Sequence, residues 1–222
     1  MTPDDVTPDD RAPGGAGAIE TAARAALAGV PIVFPTDTVY GIGTRPDDAA
    51  ATARLFEVKA RPRDLEFPVL VPSLEAAREI ARFDDRAEAL ALRFWAGPLT
   101  IVLPRADAAD GWDLGGDPTT IGVRMPHHPL TLALLARTGP LAVSSANRSG
   151  EPTPATCDEL RDVFGESVAV YLCADVPLGQ VASSVVDLAH AEPRMLRAGA
   201  VSERQVLDVL DAVGTAEPEA RL

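Results

Sequence analysis

Apolar positions along the chain switch repeatedly between a spacing of three to four residues and short unbroken or alternating runs. That is the pattern of helices and strands succeeding one another within a single α/β domain. Helical spacing predicts helices over 18–29 (AIETAARAALAG, stopped by Gly29), 46–59, 73–82, 84–95, 129–138, about 156–164 and 202–213. Pro46 and the pair Asp47–Asp48 suit the first turn of the second helix, where the helix dipole favours acids. Ser202 with Gln205 approximates a capping box at the last one. Strands are predicted at 31–34 (PIVF), 67–71 (FPVLV), 99–103 (LTIVL), 120–125 (TIGVRM), 141–145 (LAVSS) and 168–172 (VAVYL), and in the segments SSVVDL and PRMLR. PTDTVYGIGT (35–44) reads as a loop, as does the Gly- and Asp-rich stretch 106–118.

No repeat and no linker interrupts residues 18–214. Residues 1–16 are acidic and rich in Pro and Gly, and are expected to form a disordered tail. Residues 17–213 would form one catalytic domain and 214–222 a short C-terminal tail. No run of about 18 apolar residues predicts a membrane helix, and the N-terminus lacks the apolar core of a secretory signal. A cytoplasmic protein is the expectation.

The 222 residues are 46% hydrophobic with a formal net charge of −13. Such a balance suits a globular chain and disfavours tight autonomous binding to nucleic acid, so tRNA contact is expected to be weak or indirect. Cys157 and Cys173 match no zinc or redox spacing and are expected to be reduced, buried thiols. His127, His128 and His190 are too few and too scattered for a metal site, and no metal-ligating residue is assigned. Lys59 is the only lysine among 20 basic residues. A lysine standing alone in an arginine-rich chain suggests a position that needs a compact ammonium rather than a planar fork.

Several segments place small hydroxylic residues, glycine or cations at the end of an apolar strand. In Pro35–Gly43, Thr36 and Thr38 are two apart, so their hydroxyls share one side of an extended segment; an ordinary strand-end turn has the same composition. Lys59-Ala60-Arg61-Pro62-Arg63 gathers three cations suited to phosphate or to a solvated turn. No P-loop motif is present. Ser144–Gly150 suits an adenine- or phosphate-binding loop and contains no G-x-S-x-G, which argues against a serine hydrolase. Thr120 and Arg124 share one face of an apolar strand, where an arginine needs an anion: either a substrate carboxylate or an internal aspartate. Ser183–Asp187 and Leu196–Gly199 complete the set, with Arg197 at a strand end as a phosphate contact or a surface arginine.

In order along the chain, these segments resemble the YrdC-like family of threonylcarbamoyl-AMP synthases. PTDTVYGIG is similar to that family's P-T-[DE]-T-V-Y-G-L-G, and Lys59-Ala60-Arg61-Pro62 to its K-x-R-P. Gly97–Thr100, Val123–Pro126 with His128-Pro129, Ser145–Gly150, Ser183–Asp187 and Leu196–Gly199 resemble five further motifs, covering about residues 18–212. Departures occur at Leu65, Glu66, Leu70, Ala96 and Ser184. The resemblance implies a single-domain fold: a twisted mixed parallel and antiparallel sheet, flanked by helices, with a concave nucleotide-binding face. It implies a nucleotidyltransferase that makes threonylcarbamoyl-AMP and pyrophosphate from L-threonine, bicarbonate or CO2 and ATP, with Mg2+. The product would pass to downstream tRNA threonylcarbamoyl transferase proteins.

By position the resemblance places ATP against Lys59, Arg61, Thr120, Ser145, Asn147, Thr153 and Arg197, with Lys59 and Arg61 catalytic on the phosphates. It places threonine against Thr36, Thr38, Arg124 and Ser183. Two other readings remain beside it: a non-catalytic RNA-binding module on the same fold, and a related ATP-dependent carbamoyl-transfer enzyme.

Overall fold

A computed structural model describes residues 15–174, 178 and 181–215. The tails assigned to 1–16 and 214–222 lie almost wholly outside these residues. Helix α1 nevertheless begins at Ala16, inside the stretch read as tail, because Gly15 is extended and its carbonyl accepts from Ile19 N. Among the described residues, no helix is long and apolar enough to cross a membrane.

The elements follow as α1 (Ala16–Leu27), β1 (Ile32–Phe34), β2 (Gly41–Thr44), α2 (Ala49–Lys59), β3 (Val69–Leu70), α3 (Leu74–Ile80), α4 (Asp85–Phe94), β4 (Leu99–Pro104), β5 (Thr120–Arg124), α5 (Pro129–Thr138), β6 (Leu141–Ser145), α6 (Cys157–Phe164), β7 (Val170–Tyr171), β8 (Ser184–Asp187), β9 (Arg194–Arg197) and α7 (Glu203–Thr215). Among the described residues nine strands form one mixed sheet in the order β7-β1-β2-β6-β3-β5-β4-β8-β9. This is the twisted mixed sheet expected from the resemblance.

Strand β2 corrects the loop assigned to 35–44. It pairs antiparallel with β1 and β6, Gly43 lying opposite Val143. Its glycines hide it from propensity but are required by the close approach of β6. A Cβ on Gly43 would stand 2.6 Å from the carbonyl oxygen of Ala142. The second helix starts at Ala49 rather than at 46, because Asp48 is its N-cap and accepts from Ala50 N and Ala51 N. Ser73 and Asp84 likewise cap α3 and α4 from just outside.

Strand pleating sorts side chains to two faces. One face bears Val33, Ile42, Val69, Ile101 and Val123 and is covered by apolar residues of α2, α3, α4, α6 and α7, including Leu55, Ile80, Leu90, Leu160 and Val206. The other bears Ile32, Phe34, Leu70, Leu141 and Val143, against which α1 and α5 pack through Ala22, Ala26, Leu134 and Leu135. These two helices cover only part of that face. The remainder, toward β3, β5, β4 and β8, is left open and concave.

The cysteines also depart from expectation. Cys157 and Cys173 are half-buried and joined in a disulfide, Cα to Cα 5.7 Å. The fold brings the start of α6 beside the end of β7, a proximity that residue spacing does not encode.

Candidate active site

The open part of the second face holds a cavity of about 410 Å3, within the size range of small-molecule sites. Its wall includes Thr36, Thr38, Arg61, Thr100, Arg124, Ser145, Asn147, Thr153, Ser183 and Arg197. Nine of the eleven residues singled out from sequence therefore meet at one cavity, although they come from six separated segments. Lys59 and Thr120 are the two that do not line it.

At one end, the turn after β1 folds so that the Thr36 and Thr38 hydroxyls are 2.9 Å apart, with the Thr36 hydroxyl donating to the Val39 carbonyl. Thr38 Oγ1 then accepts from Arg124 Nη1 at 3.2 Å. Arg124 also donates from Nε to the Gly97 carbonyl and from Nη2 to Asp37 Oδ1 at 2.6 Å. The Arg124 and Asp37 side chains are only 7% and 12% exposed. The internal aspartate partner is thus real, and Asp37 also accepts from His127 N. Burial pulls the Arg124 guanidinium below its ordinary value, opposed by Asp37. A guanidinium has five N–H groups, so two of Arg124's remain for a further anion.

Strand register puts Leu70 opposite Arg124, on the same face. Together with Pro68 and Val143 it makes this end of the wall apolar. Thr100 was not singled out. It stands on the pocket face of β4, 3.2 Å from Ser183 Oγ, and a hydroxyl inside the apolar run LTIVL was its signal. Asp37 was visible only as the acid between two threonines.

At the other end, Arg197 donates from Nε to the Ser183 carbonyl and from Nη2 to Ser183 Oγ, both at 2.9 Å. Arg61 donates to the carbonyls of Leu65 and Glu66, and its guanidinium lies over the Phe67 ring, 5.2 Å from its centroid. Both guanidinium groups are held below their ordinary value by burial, and Arg61 further by the positive charge of Arg197. Among the described residues neither makes an ion pair with a carboxylate. Two like charges facing one hollow, with Asp64 offsetting Arg61 only in part and no direct ion pair, suit a polyanion.

The loop after β6 closes this end. Ser145 Oγ donates to Asn147 Oδ1, Thr153 Oγ1 also reaches Asn147 Oδ1 at 3.5 Å, and Asn147 Nδ2 bonds the carbonyls of Arg148 and Glu151. Lys59 holds the loop from beneath. Its side chain is 1% exposed, its ammonium donates to the carbonyls of Ser145 and Asn147, and its own carbonyl accepts from Ser149 N. Burial, and secondly the charge of Arg61, pull the Lys59 ammonium down to about 7. In this arrangement Lys59 shapes the loop, whereas the sequence reading placed it on the phosphates. The reason is its position in the last turn of α2, underneath the strand end that opens the loop.

Thr120 stands at the opposite end of β5 from Arg124, about 13 Å away at strand rise. Its hydroxyl is turned to the Asp117 carbonyl, and its carbonyl accepts from buried Arg105. Among the described residues no group of three or more His, Cys, Asp or Glu is placed to hold a metal ion.

Residues 24–199 match the family model Sua5_yciO_yrdC, described as "Telomere recombination". A putative threonylcarbamoyl-AMP synthase of Mycobacterium leprae is 44% identical over 207 residues, covering 93% of this chain and 92% of the relative. One from Mycobacterium tuberculosis is 43% identical over 193 residues, covering 86% and 88%. Among solved structures, Pyrococcus abyssi Sua5 complexed with L-threonine superposes with a TM-score of 0.79 at 34% identity, over 86% of this chain and 57% of that one. Escherichia coli YciO superposes with a TM-score of 0.78 at 25% identity, over 85% and 92%. The chain belongs to the Sua5/YciO/YrdC family.

Proposed function

We infer that this protein is an L-threonylcarbamoyladenylate synthase, a nucleotidyltransferase that joins L-threonine, CO2 or bicarbonate and ATP into threonylcarbamoyl-AMP with release of pyrophosphate. The carrying observation is the pair Arg61 and Arg197, which line one cavity, are electrostatically coupled and make no ion pair with a carboxylate among the described residues. They are suited to a triphosphate. At the other end the buried fork of Arg124, fixed by Asp37, Thr38 and Gly97, is suited to an amino-acid carboxylate.

In the reaction, the unprotonated amine of threonine adds to CO2 and becomes a carbamate. A carbamate oxygen then attacks the α-phosphorus of ATP in line, the bond from that phosphorus to the bridging oxygen breaks, and pyrophosphate leaves. Such a displacement depends on positioning and charge stabilisation rather than on a covalent nucleophile. Arg61 and Arg197 would neutralise the departing phosphates. Ser145, Asn147 and Thr153 would line the nucleotide. Thr36, Thr38 and Ser183 would order the amino acid, with Leu70 and Val143 against its methyl group.

Mg2+ would enter with ATP, held mainly by phosphate oxygens and water, as the scarcity of carboxylates in the wall fits; among the described residues Glu151 is the one carboxylate there. The bound ion supplies charge neutralisation. The product would be handed to proteins that transfer the threonylcarbamoyl group to tRNA. Mass spectrometry of products formed from ATP, bicarbonate and a panel of amino acids tests the reading. A threonine-dependent threonylcarbamoyl-AMP peak is expected, and its absence with all amino acids would overturn it.

A further inference from the structure

The proposed reaction uses neither cysteine, yet the chain around them forms the nucleotide side of the cavity. Cys157 is the first residue of α6 and directly follows the loop that carries Asn147, Glu151 and Thr153. Cys173 follows β7, on the chain that returns to Ala182 and Ser183 in the same cavity wall. The disulfide ties these two segments together. A backbone bond from Leu178 N to the Ala155 carbonyl, at 3.4 Å, crosses between them as well.

One sulfur also has a cationic neighbour. Cys157 is the first residue of α6, where the helix dipole favours negative charge but Asp158 and Glu159 in the same turn oppose it. Cys173 Sγ lies 3.5 Å from Arg161 Nη2, on a side chain that is 50% exposed. Arg161 shares its charge with Asp158 at 2.9 Å and lies over the Tyr171 ring. Both cysteines are half-buried rather than sealed in the core. A partly exposed disulfide with a cation beside its leaving sulfur is one that can exchange.

We propose that Cys157–Cys173 is a thiol–disulfide exchange site for a dithiol reductant, and that its state sets how firmly the loop over 146–156 is held against the cavity. A thiolate of the reductant attacks Cys157 Sγ. The S–S bond breaks and Cys173 leaves as a thiolate beside Arg161. The reductant's second thiol then attacks its own mixed-disulfide sulfur and expels Cys157. The protein gains two electrons and, on protonation, two thiols; the reductant ends as a disulfide. The oxidised protein has the more ordered loop. Its consequence for ATP rests on the function proposed above.

The test compares the full chain oxidised with glutathione disulfide, the chain reduced with dithiothreitol, and the double variant C157S/C173S. Thiol counting with a maleimide mass tag should find no reactive thiol in the oxidised protein and two after reduction. Amide hydrogen exchange over 146–156 should be about tenfold faster in the reduced protein and in the double variant. ATP binding should weaken by about tenfold in both, as expected when a preorganised loop is released. If the double variant fails to fold, reduced and alkylated wild-type protein supplies the same comparison. Two free thiols persisting after oxidation, or equal exchange over 146–156 in the two states, would overturn the proposal. Altered exchange without ATP binding in either state would support this redox site and overturn the nucleotide reading instead.

Discussion

Replacing Lys59 with Met removes two hydrogen bonds from a charged donor to the carbonyls of Ser145 and Asn147 while keeping the aliphatic bulk. Bonds of this kind contribute about 1.5–3 kcal/mol each. The loop is only partly buried, and water can replace some of what is lost, so a combined loss of roughly 2–4 kcal/mol is reasonable, equivalent to about 30- to 700-fold. Because Lys59 acts through the loop, the loss should be divided between folding and nucleotide binding. The melting temperature should fall by several degrees, at about 2–4 °C per kcal/mol for a chain of this size. The KM for ATP should rise while the KM for threonine changes little. Lys59→Arg should not rescue, since the site is 1% exposed and a bulkier planar fork does not reproduce one ammonium donating to two carbonyls. The assay is pyrophosphate release dependent on both threonine and bicarbonate, run beside thermal melting. Unchanged melting and unchanged KM for ATP, with a loss confined to kcat, would refute the loop role and return Lys59 to the phosphates.

Three further outcomes follow from other parts of the fold. Arg124→Lys loses the fork shared among Gly97, Thr38 and Asp37 and should raise the KM for threonine about tenfold or more, with little change for ATP, measured by the same release assay. Burial pushes the Glu66 carboxyl up to about 8, opposed by Arg105, so the native state binds a proton that the unfolded chain releases near 4.5. Stability from this group is therefore lost as pH rises from about 4.5 to about 8. Glu66→Gln should remove roughly 2–4 kcal/mol of that fall, read as the difference between variant and wild-type denaturant stability across pH 5 to 9; parallel curves would contradict it. Gly43→Ala forces a Cβ to 2.6 Å from the Ala142 carbonyl and 2.8 Å from Val143 Cγ2, and should cost about 1–3 kcal/mol by chemical denaturation.

Much of the fold was legible because helices with one apolar stripe and short buried strands leave distinct periods. The capped helices moved by only a few residues, where Asp48, Ser73 and Asp84 lie outside rather than inside the first turn. Strand β2 was not legible, since its glycines serve a close approach to β6 that only the assembled sheet reveals. The site was legible as chemistry but not as roles. Hydroxyls and cations at strand ends pointed to Thr38, Arg61, Ser145 and Arg197, which line one cavity. Whether a cation faces the cavity or supports its wall depends on the direction in which a helix ends, and in this structure Lys59 donates to the loop carbonyls from beneath. Thr120 shares a strand face with Arg124 but lies too far along it. The disulfide is a product of tertiary contact between α6 and β7 and has no local signature.

The central claim is that Arg61 and Arg197 together receive the triphosphate. Isothermal titration of ATP and of AMP, with Mg2+ present, against wild-type protein and the variants Arg61→Gln and Arg197→Gln tests it most directly. The account predicts that wild-type protein binds ATP much more tightly than AMP, and that each variant loses about tenfold or more in ATP affinity while AMP binding hardly changes. Equal affinity for ATP and AMP in the wild type, or ATP binding untouched by both substitutions, would contradict it.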